Sequence, residues 1–330
     1  MSQSSLKILD EGVGDLLTPI DLEAFRAHNR AKEKGLVDKR MSEKEAIRRL
    51  VHEGDYVGVE LYGTVRCPMS LTRELIRVGY RSLRGVGQGV YESDLFAAAD
   101  SFKAMDWTYI GLEVYGVSSN LRRAVESGYV ENIVEWSNAA LAWRFKAAAM
   151  GVPFLPTRSM LGTDTFRYSA AKVVACPFTS EPVCLLPALI LDVGIIHVNR
   201  ADKHGNCQID GISGFAAEMA CASRNVIISA EEIVDTEVIR RSPDRTIIPW
   251  YVVDAVVEAP FGSHPGEMSG LYERDEEHIR SYYESTKDAE KVKAYLDKWV
   301  YGVENHQAYL DLVGRERLEE LRIRGARDGS

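Results

Sequence analysis

A carboxylate and a guanidinium stand close together where an apolar run ends in a loop. Glu60 closes the run Tyr56-Val57-Gly58-Val59, and Arg66 follows in Tyr62-Gly63-Thr64-Val65-Arg66-Cys67-Pro68. An arginine on such a loop can hold a carboxylate through two parallel hydrogen bonds, or it can form a surface ion pair. Glu60, if buried, would retain its proton and serve as an acid or base; exposed, it is simply solvated. Together with Tyr62, Gly63 and Thr64, these residues make the first candidate substrate site. A second constellation is Glu135-Trp136-Ser137-Asn138, at the end of a short strand. There Glu135 is a candidate acid or base, Trp136 an apolar wall, and Ser137 and Asn138 polar ligands; Ser137 or Asn138 is also a natural helix N-cap. A third is Gly85-x-Gly87-x-Gly89 after a strand, where Gly87, Gln88 and Gly89 would let backbone N–H groups approach an anion. A tight turn fits that pattern as well. It is not G-x-G-x-x-G, and Tyr91-Glu92 stand where a third glycine is wanted, so a dinucleotide site is disfavoured.

Other chemistries lack their residues. There is no phosphate-binding G-x-x-x-x-G-K-[ST] and no G-x-S-x-G; Gly211-Ile212-Ser213-Gly214 has the wrong spacing. His197 and His204 flank a turn near Asp202, but no third ligand has metal-site spacing, so no metal is expected. His264 sits in a loop and suits either a site or a turn. The five cysteines form no C-x-x-C pair and read as reduced thiols packed as small hydrophobes, which points to a cytoplasmic protein. With 40 Lys+Arg against 49 Asp+Glu the net charge is −9, which argues against nucleic acid. The apolar-rich stretch 183–198 is broken by Pro187 and Asp192 and is too short to span a bilayer, so no membrane partner is expected.

The elements that must position these residues alternate. Ser42 and Glu45 have capping-box spacing ahead of a helix carrying Ala46, Ile47, Leu50 and Val51, with Gly54 at its end. A strand at 56–59, the loop, and a helix at 69–78 follow. Further strands are expected at 82–86, 107–115, 133–136, 188–198 (with a turn at Asp192-Val193-Gly194), 225–229 and 250–259. Helices are expected at 121–127 and 138–150, and three amphipathic ones at 275–285, 288–301 and 307–322. This is an α/β pattern with functional loops at strand carboxyl ends. The polar residues 1–40 read as an extension or arm, residues 41–330 as the α/β domain, and 265–330 as its helical tail.

Four segments resemble one family, the α subunit of glutaconate CoA-transferase among the family I CoA-transferases. They are 46–68 with His52-x-Gly54-Asp55 and Arg66-x-Pro68; 146–156; 230–265 with Val253-Asp254-Ala255-Val256-Val257-Glu258-Ala259-Pro260-x-Gly262-x-His264-Pro265; and a tail with Gly270-Leu271-Tyr272, Lys298-Trp299-Val300 and Tyr309-Leu310-x-x-x-Gly314. The resemblance implies an open, largely parallel sheet flanked by helices. It also implies a hetero-oligomer with a β subunit, in the form αβ, α2β2 or larger. The nucleophile would be a β-subunit glutamate in a Ser-Glu-Asn-Gly motif, a motif absent here. That carboxylate would attack an acyl-CoA thioester, giving a mixed anhydride and then a glutamyl-CoA thioester that hands CoA to an acceptor acid. The resemblance implies no tightly bound cofactor, with coenzyme A thioester as substrate and a carboxylic acid, glutaconate among the candidates, as partner. Residues 62–68 and 135–138 would occupy the family's substrate-facing positions. One departure is that the family's Gly-Gly-Phe is Glu60-Leu61-Tyr62 here. Relatives that hydrolyse, ring-cleave or decarboxylate CoA thioesters offer a second reading, and a non-catalytic ligand-binding scaffold a third.

Overall fold

The computed structural model describes residues 7–60, 63–88, 91–109 and 111–328. Among the described residues thirteen strands run in chain order: β1 (Ile8–Glu11), β2 (Tyr56–Glu60), β3 (Leu83–Gly87), β4 (Phe102–Trp107), β5 (Asn132–Glu135), β6 (Phe154–Thr157), β7 (Lys172–Ala175), β8 (Pro182–Pro187), β9 (Leu191–Asp202), β10 (Cys207–Gln208), β11 (Ser223–Val234), β12 (Thr246–Ile248) and β13 (Ala255–Glu258). Seven of them form a parallel run, β13-β11-β9-β2-β3-β4-β5, and β10 and β12 continue the sheet antiparallel beside the far end of β9. A separate antiparallel sheet, β1-β7-β8-β6, packs alongside. No helix among the described residues is long and apolar enough to cross a membrane.

The central parallel strands are buried on both faces, and their sequences say why. β2 is Tyr-Val-Gly-Val-Glu with every residue buried, and β9 and β11 are long β-branched runs. Alternate residues feed two cores. Val57, Val59, Val193 and Ile195 meet the helices Glu43–Leu50, Met69–Val78 and Tyr91–Ala98 on one face; Tyr56, Ile196 and Val198 meet the helix Asn138–Met150 and the small sheet on the other. Helix ends follow local chemistry. Ser42 Oγ accepts from Glu45 N and Ser137 Oγ from Ala140 N. Gly79 and Gly151 close their helices with φ of 87° and 71°. The first helix is Leu22–Ala31; the second, Glu43–Leu50, stops earlier than expected, and Gly54 belongs to the turn after it.

Several strand boundaries differ from expectation. β4 ends at Trp107, and residues 113–115 form a 3-10 turn instead of more strand. β9 runs unbroken through Asp192-Val193-Gly194, because β2 and β11 pair with it there. Residues 250–252 form a 3-10 turn, leaving the strand to Ala255–Glu258. The segment expected as an arm lies against its own chain: β1 pairs with β7, and Phe25, 3% exposed, joins the core.

The tail is helical, with helices Glu276–Thr286, Ala289–Leu296, His306–Val313 and Arg315–Asp328. Its side chains Tyr282, Tyr295, Leu296 and Val300 enter the same core as the strands. Burial, chiefly, pushes His278 and His306 down to about 3 from an ordinary 6.5, with Coulombic repulsion from His264 and Arg73 adding to it. The unfolded chain therefore takes up protons near pH 6.5 that the folded chain refuses until about pH 3. Stability is whole above that window and falls as pH drops through it. Urea midpoints measured from pH 7 to 4 should decline, and the decline should flatten in a His278→Gln, His306→Gln double variant.

Candidate active site at the strand carboxyl ends

The parallel order places β2-β3-β4-β5 to one side and β9-β11-β13 to the other, so connections run in opposite directions from the β2/β9 boundary. In open α/β sheets such a switch point leaves a crevice at the strand carboxyl ends. Glu60 is the last residue of β2, aligned with Ile196 of β9, and His197 is the next residue of β9.

Glu60 and Arg66 meet in this crevice, both fully buried. Arg66 Nη1 donates to Glu60 Oε2 at 2.7 Å and Nη2 to Oε1 at 3.0 Å. The remaining donors serve the backbone: Nε reaches Ile212 O at 2.9 Å and Nη1 reaches His197 O at 3.2 Å. The loop is bent to make this pairing. Gly63 and Arg66 both have φ of 60°, and the backbone of Thr64 and Arg66 bonds to Glu267. A positive φ costs a non-glycine residue energy that the surroundings must offset. Arg66 is thus no solvated surface cation, and every hydrogen bond it makes is internal.

Beside the pair lies a network that the sequence did not disclose. Glu231 accepts from Phe261 N at 2.7 Å, Gly262 N at 3.2 Å and the Tyr272 hydroxyl. It also faces His197 Nε2 at 2.8 Å, while His197 Nδ1 lies 2.8 Å from Ser229 Oγ. With a carboxylate at Nε2, that nitrogen of the neutral ring donates and Nδ1 accepts from the serine. Burial, and secondly Glu231, pushes the Tyr272 phenol well up, so it stays a donor. His204 sits apart on its turn, bonded to Val37 O, and Asp202 accepts the turn's N–H groups. The two histidines and Asp202 are therefore not a ligand set.

Gly214 packs on the pair from above. A Cβ there would lie 2.5 Å from Glu60 Oε1, and its φ is 54°. Gly214→Ala is expected to cost about 1–2 kcal/mol in strain alone, with displacement of Glu60 added. Thermal unfolding of the variant checks this; an unchanged midpoint would contradict such tight packing.

The other expected residues are placed as follows. The buried Thr64 borders a narrow cleft of about 10 Å3 lined also by Tyr91, Leu112, Glu113, Val114 and Arg274, and a Cβ on Gly63 would lie 3.3 Å from Glu113 Oε1. Glu113 stands at its rim with φ of 51°, an exposed carboxylate that the sequence reading passed over. Gly87 and Gln88 are buried at the end of β3. Gly85 lies within that strand, and a Cβ on it would meet the Phe102 ring at 2.7 Å. This glycine makes room for packing and is not part of a turn. Tyr62 and Gly89 lie outside the described residues.

The second constellation does not join the first. Glu135 ends β5, three strands from β2, which is about 14 Å across the sheet. Glu135 and Asn138 are exposed, and Ser137 caps the helix. Trp136 is no pocket wall. It is 2% exposed, donates to Asp106 at 2.6 Å, and lies under the Arg144 guanidinium. A larger cleft, about 470 Å3, sits between Arg26, Lys32, Met150 and Cys221 at the amino-terminal end of the sheet, away from these loops.

Residues 40–259 match the coenzyme A transferase family. The chain belongs to that family. It is 32% identical to the A-type subunit of glutaconate CoA-transferase from Acidaminococcus fermentans, over 87% of this chain and 95% of that one. The crystal structure of that organism's glutaconate coenzyme A-transferase superposes with a TM-score of 0.82, covering 86% of this chain and 95% of its own, at 30% identity. An uncharacterized protein of Archaeoglobus fulgidus is 48% identical over 96% of this chain and 72% of its own. The IpdA subunit of the cholesterol ring-cleaving hydrolase of Rhodococcus jostii is 30% identical over 85% and 98%. The α/β fold with its largely parallel sheet, and a CoA-transferase-like enzyme of the A-subunit kind, are thereby established. Glu60, Arg66, His197, Ser229 and Glu231 lie in the matched region, while Phe261, Gly262 and Tyr272 lie just beyond it.

Proposed function

We propose that this chain is one half of a two-subunit enzyme that exchanges coenzyme A between an acyl-CoA thioester and a free carboxylic acid, the attacking carboxylate arriving on a partner chain. The observation that carries this reading is the state of the buried carboxylates at the switch point. Glu60 is spent on Arg66, and Glu231 on two backbone N–H groups, Tyr272 and His197. A carboxylate that accepts so many bonds is a poor nucleophile, since those bonds must break before it attacks. The rim supports a partner there: Val114, Val117, Ile212 and Tyr109 are exposed apolar side chains on the surrounding loops. The naming of the glutaconate relative as one subunit of its enzyme agrees with it. This chain then supplies the floor and one wall of the chamber, with the backbone at 261–262 fixed by its bonds to Glu231.

The test is to co-produce the chain with the product of the neighbouring reading frame, add acyl-CoA, and treat with borohydride or hydroxylamine. The trapped glutamyl thioester should map to the partner. An adduct on Glu60, Glu113 or Glu135 would overturn the assignment. Likeness to the ring-cleaving hydrolase subunit favours a second reading, attack on a CoA thioester without CoA transfer; turnover with no trappable intermediate would select it.

A further inference from the structure

The Glu60–Arg66 pair carries an inference that rests on the CoA-ester reading and narrows it to a substrate class. We propose that Glu60 is a specificity-determining residue: its carboxylate fills, from within the chain, the seat on Arg66 that a second carboxylate of a substrate would take, so the acyl groups handled here carry none.

The geometry is that of a bound carboxylate. Both oxygens face the two terminal nitrogens of one guanidinium, at 2.7 and 3.0 Å, the fork a free carboxylate would adopt on arginine. The seat is at the switch point, at the carboxyl end of β2, where a ligand of this fold belongs. It is closed by its occupant. Both side chains have no exposure, Ile212 O and His197 O complete the arginine's shell, and the Gly214 backbone rests on the carboxylate. Cations on neighbouring segments are also tied up, Arg200 by Asp210 and Arg274 by Glu276. An incoming dicarboxylate would have to displace Glu60 and bury that second negative charge without a partner, which is costly. An acyl chain lacking the extra carboxylate faces no such cost.

Glu60→Ala should vacate the seat and leave Arg66 in place. The full-length variant should unfold at a lower temperature than the wild type. Formate or acetate should raise its midpoint saturably, and should leave the wild type and a Glu60→Ala, Arg66→Met double variant unmoved. By calorimetry the single variant should bind glutarate about tenfold more tightly than butyrate, the worth of one charged hydrogen bond; the wild type should show no such preference. Absence of anion rescue, or rescue without a gain for glutarate, overturns the proposal. Should the variant not fold, the wild type decides: glutaryl-CoA used as readily as butyryl-CoA overturns the proposal, and a preference of about tenfold or more for butyryl-CoA upholds it. The anion and calorimetric readouts need no turnover, so failure of the CoA-transfer reading would show separately, as an enzyme inert toward both thioesters.

Discussion

Replacing Arg66 with methionine should destabilise the folded chain by about 3–5 kcal/mol, the cost of stranding one partner of a buried pair. Glu60 would keep its burial and lose both bonds from the guanidinium. The loop would lose its ties to Ile212 O and His197 O as well. Denaturant midpoints measure the loss, and a double-mutant cycle isolates the pair. Glu60→Gln with Arg66→Met should be less unstable than Arg66→Met alone, because a neutral amide is cheaper to bury than a lone charge. A single variant that loses less than about 1 kcal/mol would mean that the carboxylate finds water or another donor, and that the crevice is looser than it looks.

A comparable loss, again about 3–5 kcal/mol, is expected for Asp106→Ala. Asp106, at 1% exposure, gathers the Tyr56 hydroxyl, the Trp136 indole N–H at 2.6 Å and the Arg144 guanidinium at 3.0 Å. Arg144 Nη1 faces Asp106 Oδ2 off the direction of a good hydrogen bond, so this contact is mainly Coulombic. Arg144 also stacks 3.9 Å from the Trp136 ring centre and donates to Pro187 O. Alanine would leave a buried cation and two buried donors without their acceptor. Asp106→Asn keeps an acceptor and should lose less. Near-ultraviolet circular dichroism, which senses Trp136 and Tyr56, should change along with the unfolding midpoint. Unaltered spectra and stability would show that the network is dispensable.

Much of the architecture was legible because its signals are local. The helix Asn138–Met150 announces itself through Ser137 at one end and Gly151 at the other, and the tail through its amphipathic spacing. Strand limits were less legible where pairing with distant residues decides them. Asp192-Val193-Gly194 has turn composition, yet it lies inside β9 because Val193 and Gly194 align with Val57 and Gly58 of β2. The candidate site divides the same way. Glu60 and Arg66 were both visible as chemistry-bearing residues, but their union depends on a reversal at Gly63 and on Arg66 adopting a left-handed backbone. His197 and Glu231 stand 34 residues apart and meet only because β9 and β11 lie in parallel register. Trp136 was misplaced for a related reason: its neighbour Glu135 is exposed, and alternation sends the tryptophan inward.

The position of β2 between β3 and β9 also constrains how the polypeptide matures. One flank of β2 is satisfied within about thirty residues, but the other awaits a strand made far later; Arg66 and His197 are separated by 131 positions. While the ribosome is still translating, that flank offers unpaired amide and carbonyl groups beside an apolar surface, an invitation to intermolecular association. Closing so long an excursion before any reward is gained makes acquisition of the native state slow. Holdase chaperones acting on the nascent first half should therefore raise soluble yield more than they raise the stability of the finished product.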